Sequence, residues 1–563
     1  MCILKLDEEK YHETKSIHPK RIFFGLLFLN AFLFVIVLLF KQDRIELNDE
    51  LSLQFVTLEQ LFNKEEIVVV DVDSVLQDVT PINLDDTTYA LSTADSLIKE
   101  PPEGKRIQYS DVSDNPLNSF FTKLLKTEKT GELIRILHYG DSQLEGDRIS
   151  DYLRNKFQLR FGGYGPGIIL PIDISRSRVS VRQSESPDWK KYAVYGKGKR
   201  LKNGYYGIGA SSYMFDGKFA AKIGEDTAIT KVFDIIDSTW VAQVDSNGVI
   251  DSILQPVFDT TSFVWDTAIS PIYEERTVSN TYLRFRTARR SFPRVRGFKS
   301  VRLLYSAEEP FLVSYRRDAV YSSIACGAAP VLNNKLMSDQ WVNKEVMMSF
   351  KATTSPVVFG VMLDGDSGVA VDNFPMRGSS GLGFEMINGK LYEELLSSTN
   401  TSLVILQYGI NVVPSLQKNY DYYARLMDAQ LKAIKRAAPG ISILVIGPSD
   451  MSRKRGGNYV SYPNIPAIRD AMKQAAFNNG CAFWDLYNAM GGENSMVSWV
   501  QNDPPLAAKD FTHFSSRGAG FVGEMLYNAI ISKYIDWKKT QHELVNEAPE
   551  IDSLPEPSKM KQS

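Results

Sequence analysis

The chain predicts an α/β fold, a three-layer parallel sheet interrupted by an inserted all-β domain of sandwich or jelly-roll type and preceded by one transmembrane helix. Three observations predict it. Apolar runs alternate with amphipathic helical patterns in two separated stretches, the residues between them switch to short alternating segments, and residues 22–40 carry no charge. Alternating strand and helix implies a parallel sheet covered on both faces, and period-two segments between turn residues imply antiparallel sheets.

Composition sets the outer limits. With 563 residues, 44% hydrophobic and 23% charged, the chain can bury a large core and holds about two folded domains. A formal net charge of −3 offers no global attraction for nucleic acid. The three cysteines, Cys2, Cys326 and Cys481, lie far apart and form neither a disulfide framework nor a zinc spacing.

The apolar run IFFGLLFLNAFLFVIVLLF at 22–40 is long enough, as a helix, to cross a hydrocarbon layer of roughly 30 Å. A cleaved signal peptide is the alternative reading, but the run exceeds the usual apolar region and no small-residue cleavage pattern follows it. Lys15, Lys20 and Arg21 precede the run and Lys41 and Arg44 follow it, a mild bias that leaves residues 1–21 cytoplasmic and the bulk of the chain outside. Residues 41–118 are acidic and broken, and read as a linker in which only IVVVDVDSV at 67–75 looks strand-like.

Regular pattern begins with LIRILHYG at 133–140, a buried strand, followed by a helix pattern that ends at glycine near residue 162. Strands at 403–409, 441–447 and 482–486 then alternate with helices at 420–440 and 467–480, and a last helix covers about 518–534. Between these halves TYLRFRT, SVRLLYS, PFLVSYR and EVMMSFK have strand texture. The expected organisation is an α/β domain from 119–169 and 355–537, an insert at 170–354, and a disordered tail at 538–563.

Four short blocks carry candidate chemistry. In HYGDSQLEGD, Ser142 follows a strand and precedes a helix, at the sheet edge where ligands of open α/β folds collect and near a helix N-terminus that favours an anion. It also reads as an ordinary helix cap. In KDFTHFSS, Asp510 and His513 are spaced so that one bend brings a carboxylate against an imidazole, orienting it as a base; a capped loop has the same look. Beyond the membrane segment His542 falls in the tail and His138 lies on the strand leading to Ser142, which leaves His513 as the well-placed base. Asn411 in QYGINVV follows a buried strand and offers an amide to an oxyanion, or is a turn asparagine. Gly378, in the turn MRGSSG, allows a close backbone N–H, or belongs to any turn.

Taken in order, GDS at 140–142, Gly378, GIN at 409–411 and DFTH at 510–513 resemble the four blocks of the SGNH hydrolases, also called the GDSL esterase/lipase family. The resemblance covers about 134–158 and 356–534. It implies Ser142 as nucleophile, His513 as general base and acid, Asp510 as its orienting carboxylate, and an oxyanion hole from the Ser142 N–H, the Gly378 N–H and the Asn411 side chain. No metal or organic cofactor is implied. Two departures are Val412, where an aspartate often follows the asparagine, and GDSQ in place of GDSL.

LHYGDSQLEGDR, FGGYGPG and VMLDGDSGVAVDNFPMRG further resemble a bacterial cell-envelope branch that includes peptidoglycan O-acetylesterases with a carbohydrate-binding-like β-domain inserted near the nucleophile strand. That resemblance implies a serine carbohydrate esterase acting on an acylated polysaccharide, which the apolar run at 22–40 is expected to hold at the inner membrane with the catalytic domain extracytoplasmic. An O-acyltransferase using the same acyl-serine and a catalytically silent glycan-binding protein are the alternatives. Acyl group, polymer and oligomeric state stay open. The basic run Arg284, Arg286, Arg289, Arg290, Arg294, Arg296, Lys299 and Arg302 suits an anionic glycan if it shares one face, or is a solvated strand face. Trp240 and Trp265 suit sugar stacking or a core.

Overall fold

The computed structural model describes residues 19–39, 44–46, 52–54, 70–79, 100–110, 115–173, 175–215, 222–244, 250–273 and 281–547, without side chains at 36–39, 44–46, 52–54, 222–244, 250–273 and 542–547. The chain divides into two compact units, residues 1–68 with 453–460, and residues 69–452 with 461–563.

In the first unit Pro19–Leu39 is a helix of 21 residues whose phenylalanines Phe23, Phe24 and Phe28 are exposed. It coincides with the expected span at 22–40 except for Phe40, which lies outside the described residues. Among the described residues no helix is long and apolar enough to cross a membrane.

The second unit is built on a parallel sheet. Its strands are β1 (Ile134–Gly140), β2 (Val369–Pro375), β3 (Thr401–Gln407), β4 (Ser442–Ile446) and β5 (Ala482–Trp484), in the order β2-β1-β3-β4-β5, with Ile107–Gln108 antiparallel on the β5 edge. Side chains of a strand alternate between faces. Leu137 and Tyr139 of β1 accordingly enter one apolar cluster, and Ile134 and Ile136 enter another. The second cluster is closed by α1 (Asn118–Thr130), α2 (Arg148–Phe161) and α6 (Ser516–Glu547), and the first by α3 (Gly389–Ser398), α4 (Asp421–Ala437) and α5 (Ile465–Asn478). Both faces are covered, which is why these strands read as mainly apolar runs.

Between β1 and β2 the chain forms two antiparallel sheets. One orders Val320–Cys326, Phe311–Arg317, Glu345–Lys351, Tyr282–Thr287 and Val181–Glu185; the other orders Ala329–Ser338, Ser300–Ala307, Val357–Asp364, Ser211–Phe215 and Trp189–Ala193, with Gly167–Ile169 also pairing to Val357–Asp364. Phe285, Leu303 and Phe350 of these sheets share one apolar cluster with Leu137, Tyr139 and Phe374 of the parallel sheet. The β-rich stretch is therefore packed into the body of the unit. Trp240 and Trp265 lie on a long hairpin, Lys222–Val244 with Ile250–Tyr273, whose side chains are outside the described residues.

Three expectations need correction. The strand-like segment at 67–75 contains instead the short helix Val72–Leu76, and residues 67–69 lie outside the described residues. Asp71 caps it, accepting from the Asp73 and Ser74 amides, and this local bonding outweighs the β-branched composition. The supposed linker docks through a different strand, Ile107–Gln108, beside which the Trp484 indole donates to the Lys105 carbonyl at 3.0 Å. The final helix continues to Glu547, so residues 538–547, read as tail, are helical; residues 548–563 lie outside the described residues.

The basic run disperses. Arg294 lies over the Tyr164 ring, Arg296 Nε donates to the Ser291 carbonyl, Lys299 pairs with Asp366, and Arg302 Nε donates to Asn334. Arg284 and Arg286, two positions apart on one strand, share a face, and both meet Glu345.

Candidate active site

The nucleophile candidate stands where β1 ends. Strand order puts β2 and β3 on either side of β1, with Pro375 and Gln407 both in register with Gly140. The loops that carry Gly378 and Asn411 therefore leave the sheet beside Ser142. Gly140 is required by crowding: a Cβ there would sit 2.8 Å from the Gln407 carbonyl oxygen and 2.7 Å from Leu144 Cδ1. The chain then turns, with Asp141 buried and its carboxylate accepting from the Gln143 amide at 3.0 Å. Burial pushes the Asp141 carboxyl up to about 7.

Ser142 opens the short 3₁₀ turn Ser142–Asp147, and α2 begins only at Arg148, after Gly146 and Asp147 at positive φ. The serine is thus separated from the α-helix N-terminus by a full turn, which corrects the expected dipole contact. Asp141, not Ser142, does the capping.

Ser142 Oγ lies 2.8 Å from His513 Nε2, and His513 Nδ1 lies 2.7 Å from Asp510 Oδ2. The structure brings these three expected residues together. Asp510 Oδ1 also accepts the Thr512 and His513 amides, each at 3.0 Å. Burial raises the Asp510 carboxyl, but these amide bonds and the bond to the His513 ring outweigh it and hold the group below its ordinary value. An ionised carboxylate only accepts, so Nδ1 carries the imidazole proton and the Nε2 lone pair faces the serine hydroxyl. The arrangement can take a proton from Ser142.

The loop bearing Gly378 takes positive φ at that glycine, +74°. Asn411 Nδ2 donates to the Ser379 carbonyl at 2.9 Å, bracing this loop with one amide hydrogen and leaving the group a second. Arg377 pairs with Glu145 of the nucleophile turn, Nη2 to Oε2 at 2.5 Å, and ties the same loop from its other side. His138, set aside from the sequence, is fully buried between Gln407 and Ser150 at 3.0 Å each, and burial lowers it to about 4. It is a neutral core histidine.

Two contributors escaped the sequence reading. Gln143, the departure from GDSL, is buried; its Nε2 donates to the Thr512 carbonyl at 2.7 Å and to Ser449 Oγ at 3.2 Å, and its Oε1 accepts the Phe514 amide at 3.3 Å. It grips the chain on both sides of His513. Arg148 Nη1 donates to the Phe514 carbonyl at 2.7 Å and its Nε to the Glu145 carbonyl at 2.9 Å. The one available signal was a long polar side chain in a position where the family resemblance implies leucine. Among the described residues no group of three or more histidine, cysteine, aspartate or glutamate side chains is arranged to hold a metal ion.

No family model and no curated protein matches the chain. Among solved structures, one described as a peptidoglycan O-acetylesterase in action aligns over 76% of this chain and 99% of its own, at 18% identity and TM-score 0.50. A family two carbohydrate esterase from Clostridium thermocellum in complex with cellohexaose covers 46% of this chain and 94% of its own, at 9% identity and TM-score 0.21. Another from Cellvibrio japonicus covers 56% and 99%, at 6% identity and TM-score 0.22. The first likeness extends over three quarters of the chain and bears out, in fold, the resemblance to the SGNH hydrolases; the other two are too slight to argue from.

Proposed function

We propose, from an SGNH-like fold as premise, that this chain is a serine esterase that removes O-acetyl groups from a cell-envelope polysaccharide such as peptidoglycan. The observation that carries the reading is the unbroken relay from Ser142 Oγ through the His513 ring to Asp510 Oδ2, with links of 2.8 and 2.7 Å.

In this mechanism Ser142 Oγ attacks the ester carbonyl carbon while its proton passes to His513 Nε2. The carbonyl oxygen takes up negative charge opposite the Ser142 amide, the Gly378 amide and the Asn411 side chain. Each such donor is worth about 3 kcal/mol in the transition state. Collapse breaks the bond to the sugar oxygen, which receives the proton from His513, and leaves acetyl-Ser142. Water then gives a proton to His513 and attacks the acetyl carbon, and acetate departs as Ser142 recovers its proton. Asp510 stabilises the imidazolium throughout.

Attachment to a bacterial inner membrane belongs to the same proposal. Its support is the charge-free run at 22–40 and the exposed apolar side chains of Pro19–Leu39. The envelope substrate rests on the sequence resemblance.

The test uses the full chain in detergent with an aryl acetate and an O-acetylated glycan. Release of free acetate by the wild type, and its loss in Ser142→Ala, supports the esterase. Acetyl appearing on a second glycan hydroxyl, with no free acetate, makes the chain an acyltransferase, because a sugar hydroxyl has then resolved the acyl-serine in place of water. Equal inactivity of both proteins toward all acyl lengths sinks the catalytic reading. Recovery of a variant lacking residues 1–41 in the soluble fraction, with the full chain retained in membranes, tests the anchor.

A further inference from the structure

The hairpin formed by Trp189–Ala193 and Ser211–Phe215 carries charge of one sign. Residues 189–215 hold Lys190, Lys191, Lys197, Lys199, Arg200 and Lys202 and no aspartate or glutamate, in a chain whose 64 basic and 67 acidic residues nearly balance. Solvated surfaces ordinarily mix the two signs, since a field of one sign repels itself and draws in partners of the other.

The charge is concentrated at the tip. Lys197, Lys199, Arg200 and Lys202 are all exposed, and among the described residues none of the four forms an ion pair. The tip is ordered without using its lysines: Arg200 Nη1 donates to the Tyr195 carbonyl at 2.8 Å, Arg200 Nη2 to the Gly196 carbonyl at 3.0 Å, and the Leu201 amide to Tyr206 Oη at 2.6 Å. Three ammonium groups are thus displayed on a braced loop.

The hairpin is fixed against the ester site from two directions. Tyr139, three positions before Ser142, donates its hydroxyl to the Ile208 carbonyl. The Asn388 amide donates to the Gly204 carbonyl at 2.8 Å, and a Cβ on Gly383 would stand 2.8 Å from Val194 Cβ, so the hairpin lies along the loop that runs on from Gly378. Glu385 is the one carboxylate in that loop, 376–388, and it forms no ion pair with the tip. Tyr195 and Tyr205, on either side of the lysines, pack on the core and stay partly exposed. A glycan offers sugar faces to such rings and anionic groups to the lysines, which meet an anion as point charges.

We propose that the hairpin tip, residues 195–205, is a docking face for an anionic glycan, holding the polymer through Lys197, Lys199 and Lys202 while an ester on a neighbouring sugar reaches Ser142. The proposal rests on the esterase reading and names the substrate class of that site.

The experiment compares three acetate esters with the full chain in detergent: an O-acetylated oligogalacturonate, the same oligosaccharide after carboxyl reduction, and an aryl acetate. The wild type is expected to show a KM about tenfold lower for the acidic oligosaccharide than for the reduced one, the combined size of three exposed charge pairs. Raising salt to about 1 M, which screens exposed charges, is expected to remove that preference. The triple variant Lys197→Gln/Lys199→Gln/Lys202→Gln is expected to abolish it with aryl acetate turnover unchanged, and replacement of the same three lysines by glutamate to invert it. Equal KM for the acidic and reduced substrates, a preference that persists in high salt, or one that survives both variants overturns the proposal while the esterase stands. Should no ester be cleaved, the esterase reading fails separately. Calorimetry with deacetylated oligogalacturonate then decides the docking face: binding that the triple variant loses supports it, and no binding, or binding that the variant keeps, overturns it.

Discussion

The two sides of the Ser142–His513 contact are held in different ways. Ser142 stands at the end of β1, a strand buried along its whole length, and is placed by sheet register and a buried aspartate cap. The segment carrying Asp510 and His513 is a surface loop, with Asp510 side chain 51% and His513 side chain 32% exposed. That loop is tied down from below, by Gln143 on the carbonyl of Thr512 and the amide of Phe514, and by Arg148 on the carbonyl of Phe514. The nucleophile turn thus positions its own base. A core can set one partner through packing, while the other depends on a few hydrogen bonds whose loss changes geometry more than stability.

The largest effect expected is on chemistry itself. Ser142→Ala should lower esterase turnover by about 10⁴-fold or more at unchanged melting temperature, since the serine oxygen is the reacting atom. Retained activity in that variant, measured with an aryl acetate, breaks the comparison at its root.

The core side is tested next through stability. Arg135 is wholly buried and bonds Asp372 at 2.8 and 3.0 Å and Asp364 at 2.6 Å. Arg135→Ala strands two buried carboxylates and should cost about 3–5 kcal/mol in urea unfolding. A loss below about 1 kcal/mol shows that β1 is not anchored there.

His138 sharpens the same point by pH. Burial lowers its folded value to about 4 from 6.5, so between those values the unfolded chain binds more protons. Its contribution is complete above 6.5 and is lost as pH falls toward 4. Asp141 and Asp151, both raised to about 7 by burial, act in the opposite sense, gaining stability as pH falls through that value. The difference between wild type and His138→Gln isolates the histidine and should amount to on the order of 3 kcal/mol across that window. Parallel stability curves count against a neutral buried imidazole.

The loop side has the smallest expected effect and separates the two modes most cleanly. Gln143→Leu keeps the volume and removes the bonds to both neighbours of His513. It should reduce kcat by about tenfold to a hundredfold with KM for an aryl acetate unchanged. A wild-type kcat in this variant shows that the His513 loop holds itself.

What was legible in the sequence follows from short-range causes. The parallel sheet was visible because strands buried on both faces are predominantly apolar, as β4 is throughout its centre, β3 is from Leu403 to Leu406 and β1 is apart from Arg135 and His138. Asp510 and His513 were visible because they stand three positions apart, close enough for a single turn with Phe511 at positive φ to join them. The helix at Val72 was not, since its cap is one aspartate among many, and neither was the docking of Ile107–Gln108, which pairs with Phe483 and Trp484 far along the chain.

The sequence by itself determined the candidate residues Ser142, Asp510 and His513, the order of the strands that carry them, and the charge-free run at 22–40. Only the tertiary structure decided that β2 and β3 flank β1 and that Gln143 reaches across 369 residues to Thr512. The physical reason is that strand periodicity and turn chemistry are written in neighbouring residues, whereas sheet order and the partner of a buried polar group are settled by which distant surfaces exclude water together.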